Sequence, residues 1–328
     1  MDLKTELTNR ADVFNKELEI FLKKGKPQTL YDAARHLPLA GGKRLRPVMA
    51  MVACEAVGGD LKKVMSVAIA SELIHNFTLV HDDIMDKSSL RRNMPTVHVK
   101  FSEPTAIIAG DLLFAKAFEA LHTLTGDPVI FKKIDYGLIN IIREICEGQQ
   151  MDMGFENRKI VDESEYIEMI RKKTAVFFQY VAEAGGIVGG GSKKQTDGLN
   201  IYGESLGLGF QIQDDYLDMS SDEETLGKDI GMDIRNGKKT LIAVHSLNNA
   251  HGEDRKLLQK IFGNNNATDE EVNQVYHLFN KLGSVEYARK TASMYDERAK
   301  KALNVLDDSN AKSILLQLAD YSTIKREK

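Results

Sequence analysis

Two groups of aspartates are the residues of this chain best suited to chemistry. One lies in "LVHDDIMDKSSLRR", residues 79–92, and holds Asp82, Asp83 and Asp86. The other lies in "GFQIQDDYLDMSSD", residues 209–222, and holds Asp214, Asp215 and Asp218. Both read DDxxD, and both close an apolar stretch of helical pattern. Residues three and four apart are neighbours on a helix, so Asp82 shares a face with Asp86, and Asp214 with Asp218. Like charges so placed destabilise a helix, and burial near a cavity makes the repulsion worse. A divalent cation removes the problem. One such motif is as readily a solvated acidic helix end; two copies, each after a long apolar helix, point to metal. The donors are hard oxygens without cysteine or paired histidine, which selects Mg²⁺, or Mn²⁺, over zinc. Mg²⁺ commonly binds through one or two carboxylates, waters and substrate phosphates. A phosphate-bearing ligand held between the two clusters is therefore expected.

The cations agree. "GGKRLRP", residues 41–47, groups Lys43, Arg44 and Arg46. Arg91 and Arg92 follow the first acidic cluster, and Lys228 and Lys238 follow the second. "RKKTA" adds Lys172, Lys173 and Thr174. Each alone reads as a solvated face. Their repeated placement near helix ends beside the acidic motifs is the informative part. Arg forks and Lys point charges bind diphosphates, and there are too many here for one diphosphate, so two are expected.

The elements that must position these groups are helical. Pro27, Pro47 and Pro128 stand where helices should begin, and apolar residues between them recur at three- and four-residue spacing. Strand alternation and hairpin signals are nearly absent. The single Asn-Gly pair, Asn236-Gly237, sits among charged residues. The pattern predicts an all-α protein of roughly ten or more helices. "GGIVGGGSKKQTDGLN" is the best candidate boundary, but it reads better as a join between two helices of one bundle, with Gly185 and Gly186 permitting close packing. A single domain over residues 1–328 is expected.

Composition narrows the function classes. Of 328 residues, 42% are hydrophobic and 28% charged, with a net charge of −4, which argues against nucleic-acid binding as the main task. The two cysteines, Cys54 and Cys146, lie far apart and read as reduced, buried thiols. The polar amino terminus is no signal peptide, and no apolar run reaches the length of a membrane span. A cytoplasmic protein is expected.

With these motifs together, the chain resembles the trans-isoprenyl diphosphate synthases, or polyprenyl synthetases, and within them the archaeal-type geranylgeranyl diphosphate synthases. The likeness runs over nearly the whole length, in order: "GGKRLRP", "HNFTLVHDDIMD", "RRNMPTVH", "GDLLFAKAF", "EGQQMD", "KKTA", "GFQIQDDYLD", "GKDIGMDIRNGKKT". It implies one helical bundle around a deep central cavity (the isoprenoid synthase fold), a homodimer, and aspartate-rich helices facing each other at the cavity mouth. It also implies a reaction. An allylic diphosphate ionises, the double bond of isopentenyl diphosphate attacks the cation, and a proton is lost to the departed diphosphate.

By motif position, the resemblance makes Asp82, Asp86 and Asp214 metal ligands, with Asp83, Asp215 and Asp218 in support. Arg91, Lys173, Lys228 and Lys238 would grip the allylic diphosphate. Lys43, Arg46, His75 and Arg92 would grip isopentenyl diphosphate, although a histidine in an apolar helix is often a satisfied core residue. Thr174 and Gln211, with Lys173, would flank the reacting carbons. Two departures are small: Asn93 stands where glycine is common and Lys239 where proline is common. A product tail would run along the helix before Asp82. Phe77, roughly 7 to 8 Å below it, is a candidate floor, with Ile74 and Thr78 beside it. An aromatic residue five before the motif, a small one four before and no insertion imply a C20 product, with C15 or a mixture as the runner-up. A terpene cyclase usually lacks the second DDxxD and "GGKRLRP", and a noncatalytic subunit commonly loses one aspartate cluster. This chain keeps all of them.

Overall fold

Backbone is described for residues 2–156, 158–220 and 231–323 of a computed structural model, and side chains for 2–156, 158–217 and 231–321. The chain divides into two compact units. One comprises Met1–Ile139, Tyr180–Asn200 and Asn304–Leu315, the other Asn140–Gln179, Ile201–Leu303 and Leu316–Lys328.

The first unit is built on helix α4, Leu61–Met85, packed against α3 (Leu45–Ala56) and α6 (Glu103–Leu121). Around them lie α1 (Leu3–Phe21), α2 (Gln28–His36) and the short α5 (Val97–Lys100). The Asp60 side chain caps the start of α4 by accepting from the Lys62 backbone N–H at 3.0 Å. Its middle is apolar on nearly every face, burying Val64, Val67, Ala68, Ala70, Leu73 and Ile74. A helix that is hydrophobic all round belongs inside a protein. The sequence reading is corrected here: α4 is long and apolar enough, at 25 residues, to cross a membrane, yet 67% of its apolar window is buried within the protein. Each fully buried Leu or Ile contributes about 1.5–3 kcal/mol. The expected glycine contact is present, since a Cβ on Gly185 would lie 2.3 Å from the Ala50 carbonyl oxygen.

The second unit has its own core, centred on Tyr166, Met169, Ile212, Leu241, Val275 and Phe279. It includes α8 (Glu163–Ile170), α11 (Gly231–Asn236), α12 (Leu241–Asn249), α13 (Gly252–Ile261), α14 (Asp269–Lys281) and α15 (Ser284–Ala302). The chain crosses between units inside α7 (Pro128–Glu156), α9 (Val176–Val188), α10 (Lys193–Ser220) and α16 (Asn310–Thr323). Pro128 is the first residue of α7 and Pro27 the N-cap of α2, as the start signals required.

The all-α expectation holds, with two local differences. Among the described residues the one sheet is a tiny hairpin, β1 (Leu90–Arg91) and β2 (Met94–Pro95). Its turn residues, Arg92 and Asn93, both take left-handed backbone, with φ of 53° and 58°. That is the signature of a type I′ turn, which Asn and Gly fill most easily. Asn93 therefore replaces the customary glycine at little cost. The second difference is Cys146, which is exposed; only Cys54 is buried.

Candidate active site

The first acidic cluster occupies the last turn of α4. Asp82 is half-buried and Asp86 exposed, one turn apart, with the Asp86 N–H donating to the Asp82 carbonyl at 2.8 Å. Asp83, between them, turns inward and is 1% exposed. Its Oδ1 accepts from Arg91 Nε at 2.9 Å and Nη2 at 2.6 Å, while its buried Oδ2 has no partner among the described residues. Carboxylates are poorly placed at a helix C-terminus, where the helix dipole is already negative. A cation bound there would offset the charge that Arg91 leaves unpaired.

Across the β1–β2 turn from Arg91, Arg92 folds the other way. Its Nη1 donates to the carbonyls of Leu37, at 3.0 Å, and Gly41. A Cβ on Gly42 would come within 2.8 Å of its Cζ, so the glycine pair of "GGKRLRP" makes room for this guanidinium. Arg46 brings Nη1 to 3.4 Å from Nε2 of His75. Burial, then the nearby charges of Arg46, Arg92, Arg91 and Arg44, push the His75 pKa well below its usual value. His75 is thus a neutral ring among cations, a setting that welcomes an anion. Lys43 is exposed at the mouth of the same loop.

Arg44, which the sequence groups with those cations, has a different fate. It is 5% exposed and pairs with Glu72 at 2.5 Å. Pro38 and Asn15 oxygens accept from its remaining nitrogens. Arg44 therefore ties the loop to α4 and faces no ligand.

The second acidic cluster lies near the C-terminal end of α10, the same unfavourable end for negative charge. Asp214 is half-buried, and Asp215 is 3% exposed. Asp215 accepts from the Tyr166 hydroxyl at 2.8 Å and Gln211 Nε2 at 3.3 Å, and Lys238 Nζ lies 3.7 Å away. Burial raises its pKa to about 6, against the pull of Lys238 and Tyr166 and with a further push from Asp233 and Asp214. Lys238 also lies 3.4 Å from Asp233. Asp218 and Lys228 fall outside the residues whose side chains are described.

Beside them the helix running from α8 into α9 is broken by a π-turn, Arg171–Ala175, which is the "RKKTA" motif. Such turns cluster at functional sites. Thr174 Oγ1 donates to Gln211 Oε1 at 2.9 Å, so Gln211 bridges Thr174 and Asp215. Lys173 pairs with Asp152, and Lys172 with Glu147 at 2.7 Å. A Cβ on Gly148 would lie 2.4 Å from the Lys173 backbone nitrogen, so α7 can approach this turn only with glycine there.

The first unit thus gathers Asp82, Asp83, Asp86, Arg46, His75, Arg91 and Arg92. The second gathers Asp214, Asp215, Thr174, Gln211, Lys173 and Lys238. Sequence reasoning missed Tyr166, Asp152 and Gly148 as supporting residues. "EGQQMD" contains the last two and was the available signal; Tyr166 had none, because its partner is distant in sequence.

The donor set suits a hard divalent cation. Among the described residues no three Asp, Glu, His or Cys side chains converge as a closed metal site. Each cluster offers carboxylates without a cage, which is how Mg²⁺ is held when substrate phosphates complete its shell.

Comparison with known proteins decides the family. The polyprenyl synthetase profile matches residues 27–279. The chain belongs to the polyprenyl synthetase family. It is 46% identical to the geranylgeranyl diphosphate synthase of Methanosarcina mazei over 327 residues, covering 100% of this chain and 99% of that one. Among solved structures, the geranylgeranyl pyrophosphate synthetase of Pyrococcus horikoshii superposes with a TM-score of 0.94 at 41% identity, over 99% of this chain and 98% of that one. The polyprenyl synthase of Caulobacter crescentus, solved with calcium and isoprenyl diphosphate, gives 0.86 at 30% identity, over 98% and 97%. That polyprenyl synthetase therefore holds a hard divalent cation together with a diphosphate.

Proposed function

We propose that this chain is an isoprenyl diphosphate synthase that adds isopentenyl diphosphate to allylic diphosphates, head to tail, and stops at geranylgeranyl diphosphate, C20. The observation that carries this is the repeated device at the ends of α4 and α10: a partly exposed aspartate beside a buried one that holds a cation or phenol. Asp82, Asp86 and Asp214 would hold Mg²⁺, with Mn²⁺ as a substitute, supported by Asp83, Asp215 and Asp218. Bound there, the metal would offset negative charge developing on the leaving diphosphate.

The protein's own groups do the rest. Arg91, fixed by Asp83, and Lys173, Lys228 and Lys238 grip the allylic diphosphate. Lys43, Arg46, Arg92 and neutral His75 seat isopentenyl diphosphate. Thr174 and Gln211, locked to each other, present polar oxygens beside the reacting carbons. The allylic carbon–oxygen bond breaks to give a cation and diphosphate, the alkene attacks the cation, and the proton passes to the released diphosphate. Chain elongation is tested with purified protein, Mg²⁺, labelled isopentenyl diphosphate and each allylic primer, sizing the products. No elongation with any primer defeats this reading.

Gly148→Ala forces the Lys173 backbone to move. A shift of about 1 Å costs on the order of 10²-fold in rate. The expected steady-state result is that loss in kcat together with a lowered unfolding midpoint, since the new Cβ meets backbone; normal turnover of the folded variant would mean that Lys173 and Thr174 need no such precision.

Phe77 is edge-on to Phe114, with centroids 5.4 Å apart, and Phe114 is tilted against Phe118 at 5.3 Å. Ile74 is fully buried, and the Thr78 hydroxyl bonds back to the His75 carbonyl, so both shape the wall more than the floor. Phe77→Ala should lengthen the product by one or two isoprene units, with Phe114 as the next floor. An unchanged product distribution on chromatography sinks this assignment.

Exposed apolar residues on α6 (Ile107, Ile108) and on α7 (Tyr136, Ile139) support a homodimer. A family match that spans parts of both units supports reading residues 1–328 as one functional domain. A cytoplasmic location fits that reading.

A further inference from the structure

The second unit carries a cavity that none of the proposed substrate-binding residues line. Its volume is about 550 Å³. The floor is Lys239, Leu258 and Phe262, and the rim carries Arg158, Lys159 and Arg255. Lys239 is the residue that departs from the customary proline.

Lys239 is 6% exposed. Its ammonium donates to the Gly237 carbonyl at 2.8 Å and lies 5.1 Å from the centre of the Phe262 ring. No carboxylate forms an ion pair with it among the described residues; Glu156, at the rim, acts on it only at a distance. A buried ammonium without a counter-charge is costly. Burial accordingly pulls its pKa down. Four cations and one carboxylate line the cavity, and among the described residues Arg158 alone of the four is neutralised, by Glu165 through two bonds of 2.8 Å. The rest of the wall is Ile160, Leu247, Leu258 and Phe262, with Gln259 and two glycines, Gly237 and Gly263.

Cations and hydrocarbon side by side in one cavity match an amphiphilic anion. We infer that this cavity is a second binding site for a diphosphate ester with a hydrocarbon tail, its head group taken by Lys239, Lys159 and Arg255. The inference rests on the proposed function only for the idea that such esters are the protein's own products.

The site is joined to the proposed active site through backbone. Gly237, with φ of 67°, ends α11 and precedes Lys238 and Lys239. A Cβ on it would lie 2.9 Å from the Cα of Gly263, and the Gly263 N–H donates to the Ile234 carbonyl at 2.9 Å. The cavity floor and the loop carrying Lys238 are thus clasped together. A head group that draws Lys239 away from the Gly237 carbonyl acts on the residue next to Lys238.

The test uses the full chain with Asp82→Ala and Asp214→Ala, in EDTA, so that metal-dependent binding at the active site is disabled. Farnesyl diphosphate and inorganic diphosphate are titrated calorimetrically in parallel. The expected result is one site for the ester, at least tenfold weaker for inorganic diphosphate. Adding Arg255→Glu, an exposed change on α13, should weaken the ester at least tenfold, and Lys239→Met should do the same. In the otherwise unaltered enzyme, Arg255→Glu should leave kcat within twofold. No ester binding overturns the inference, as does binding that neither substitution alters. Equal affinity for inorganic diphosphate also overturns it, since only charge would then be recognised. Loss of the catalytic reading would appear separately, as absent elongation by the unaltered chain.

Discussion

Asp82→Ala should lower the rate of chain elongation by about 10³-fold or more, the scale lost when charge stabilisation at a leaving group is removed. The same substitution should change the stability of the folded protein far less. Asp82 sits half-exposed in the last turn of α4, beside Asp83 and Asp86 and against the negative end of the helix dipole. Removing one of those charges relieves roughly 0.3–1 kcal/mol at the helix end, about what a half-exposed side chain contributes through its own contacts. A large loss of activity with little change in stability separates a metal ligand from a structural residue, for which both would fall together. The check is a Mg²⁺-dependent elongation assay beside a thermal melt in EDTA. Near-normal activity would overturn the ligand assignment, and a large loss of stability would make Asp82 part of the scaffold.

Arg44→Ala should do the reverse and act first on stability. It strands Glu72, whose side chain is 2% exposed and whose Oε1 would keep only the Asn76 amide, at 2.9 Å. Breaking a buried ion pair from one side costs about 3–5 kcal/mol. Replacing both partners with well-packed apolar residues is often neutral. Urea denaturation of Arg44→Ala, Glu72→Met and Arg44→Met/Glu72→Met should therefore show two large losses and a substantial recovery in the double variant. If Arg44→Ala were within 1 kcal/mol of the parent, roughly the net value of an exposed pair, the buried-pair description would be wrong.

These two cases mark what the sequence could convey. Helices were legible because periodicity and capping are local, and α4 was legible as buried because it has no polar face. The acidic motifs were legible because type and spacing alone define a hard-oxygen site. The direction each carboxylate turns was not. Asp83 and Asp215 face inward because Arg91 and Tyr166 meet them there, and Tyr166 is supplied by α8, far away in the chain. Arg44 looked like its neighbours Lys43 and Arg46, yet a left-handed backbone at φ 50° turns it into the core. The β1–β2 hairpin escaped notice because its turn is Arg-Asn rather than Asn-Gly. Cys146 reads like Cys54 within a helical pattern, and only packing distinguishes them. Asp218 and Lys228 stand as they did in the sequence.

The π-turn at Arg171–Ala175 carries a consequence for heredity. One residue more than an α-helix needs is accommodated there, so the helical segments on either side keep their own faces while the turn between them is rotated out of step. Deleting a single residue from "RKKTA" would let the segment anneal into ordinary helix and would carry Lys173 and Thr174 away from Asp152 and Gln211. A one-codon indel at this place separates folding from catalysis: the lineage that loses it keeps a sound helix and gives up the reaction.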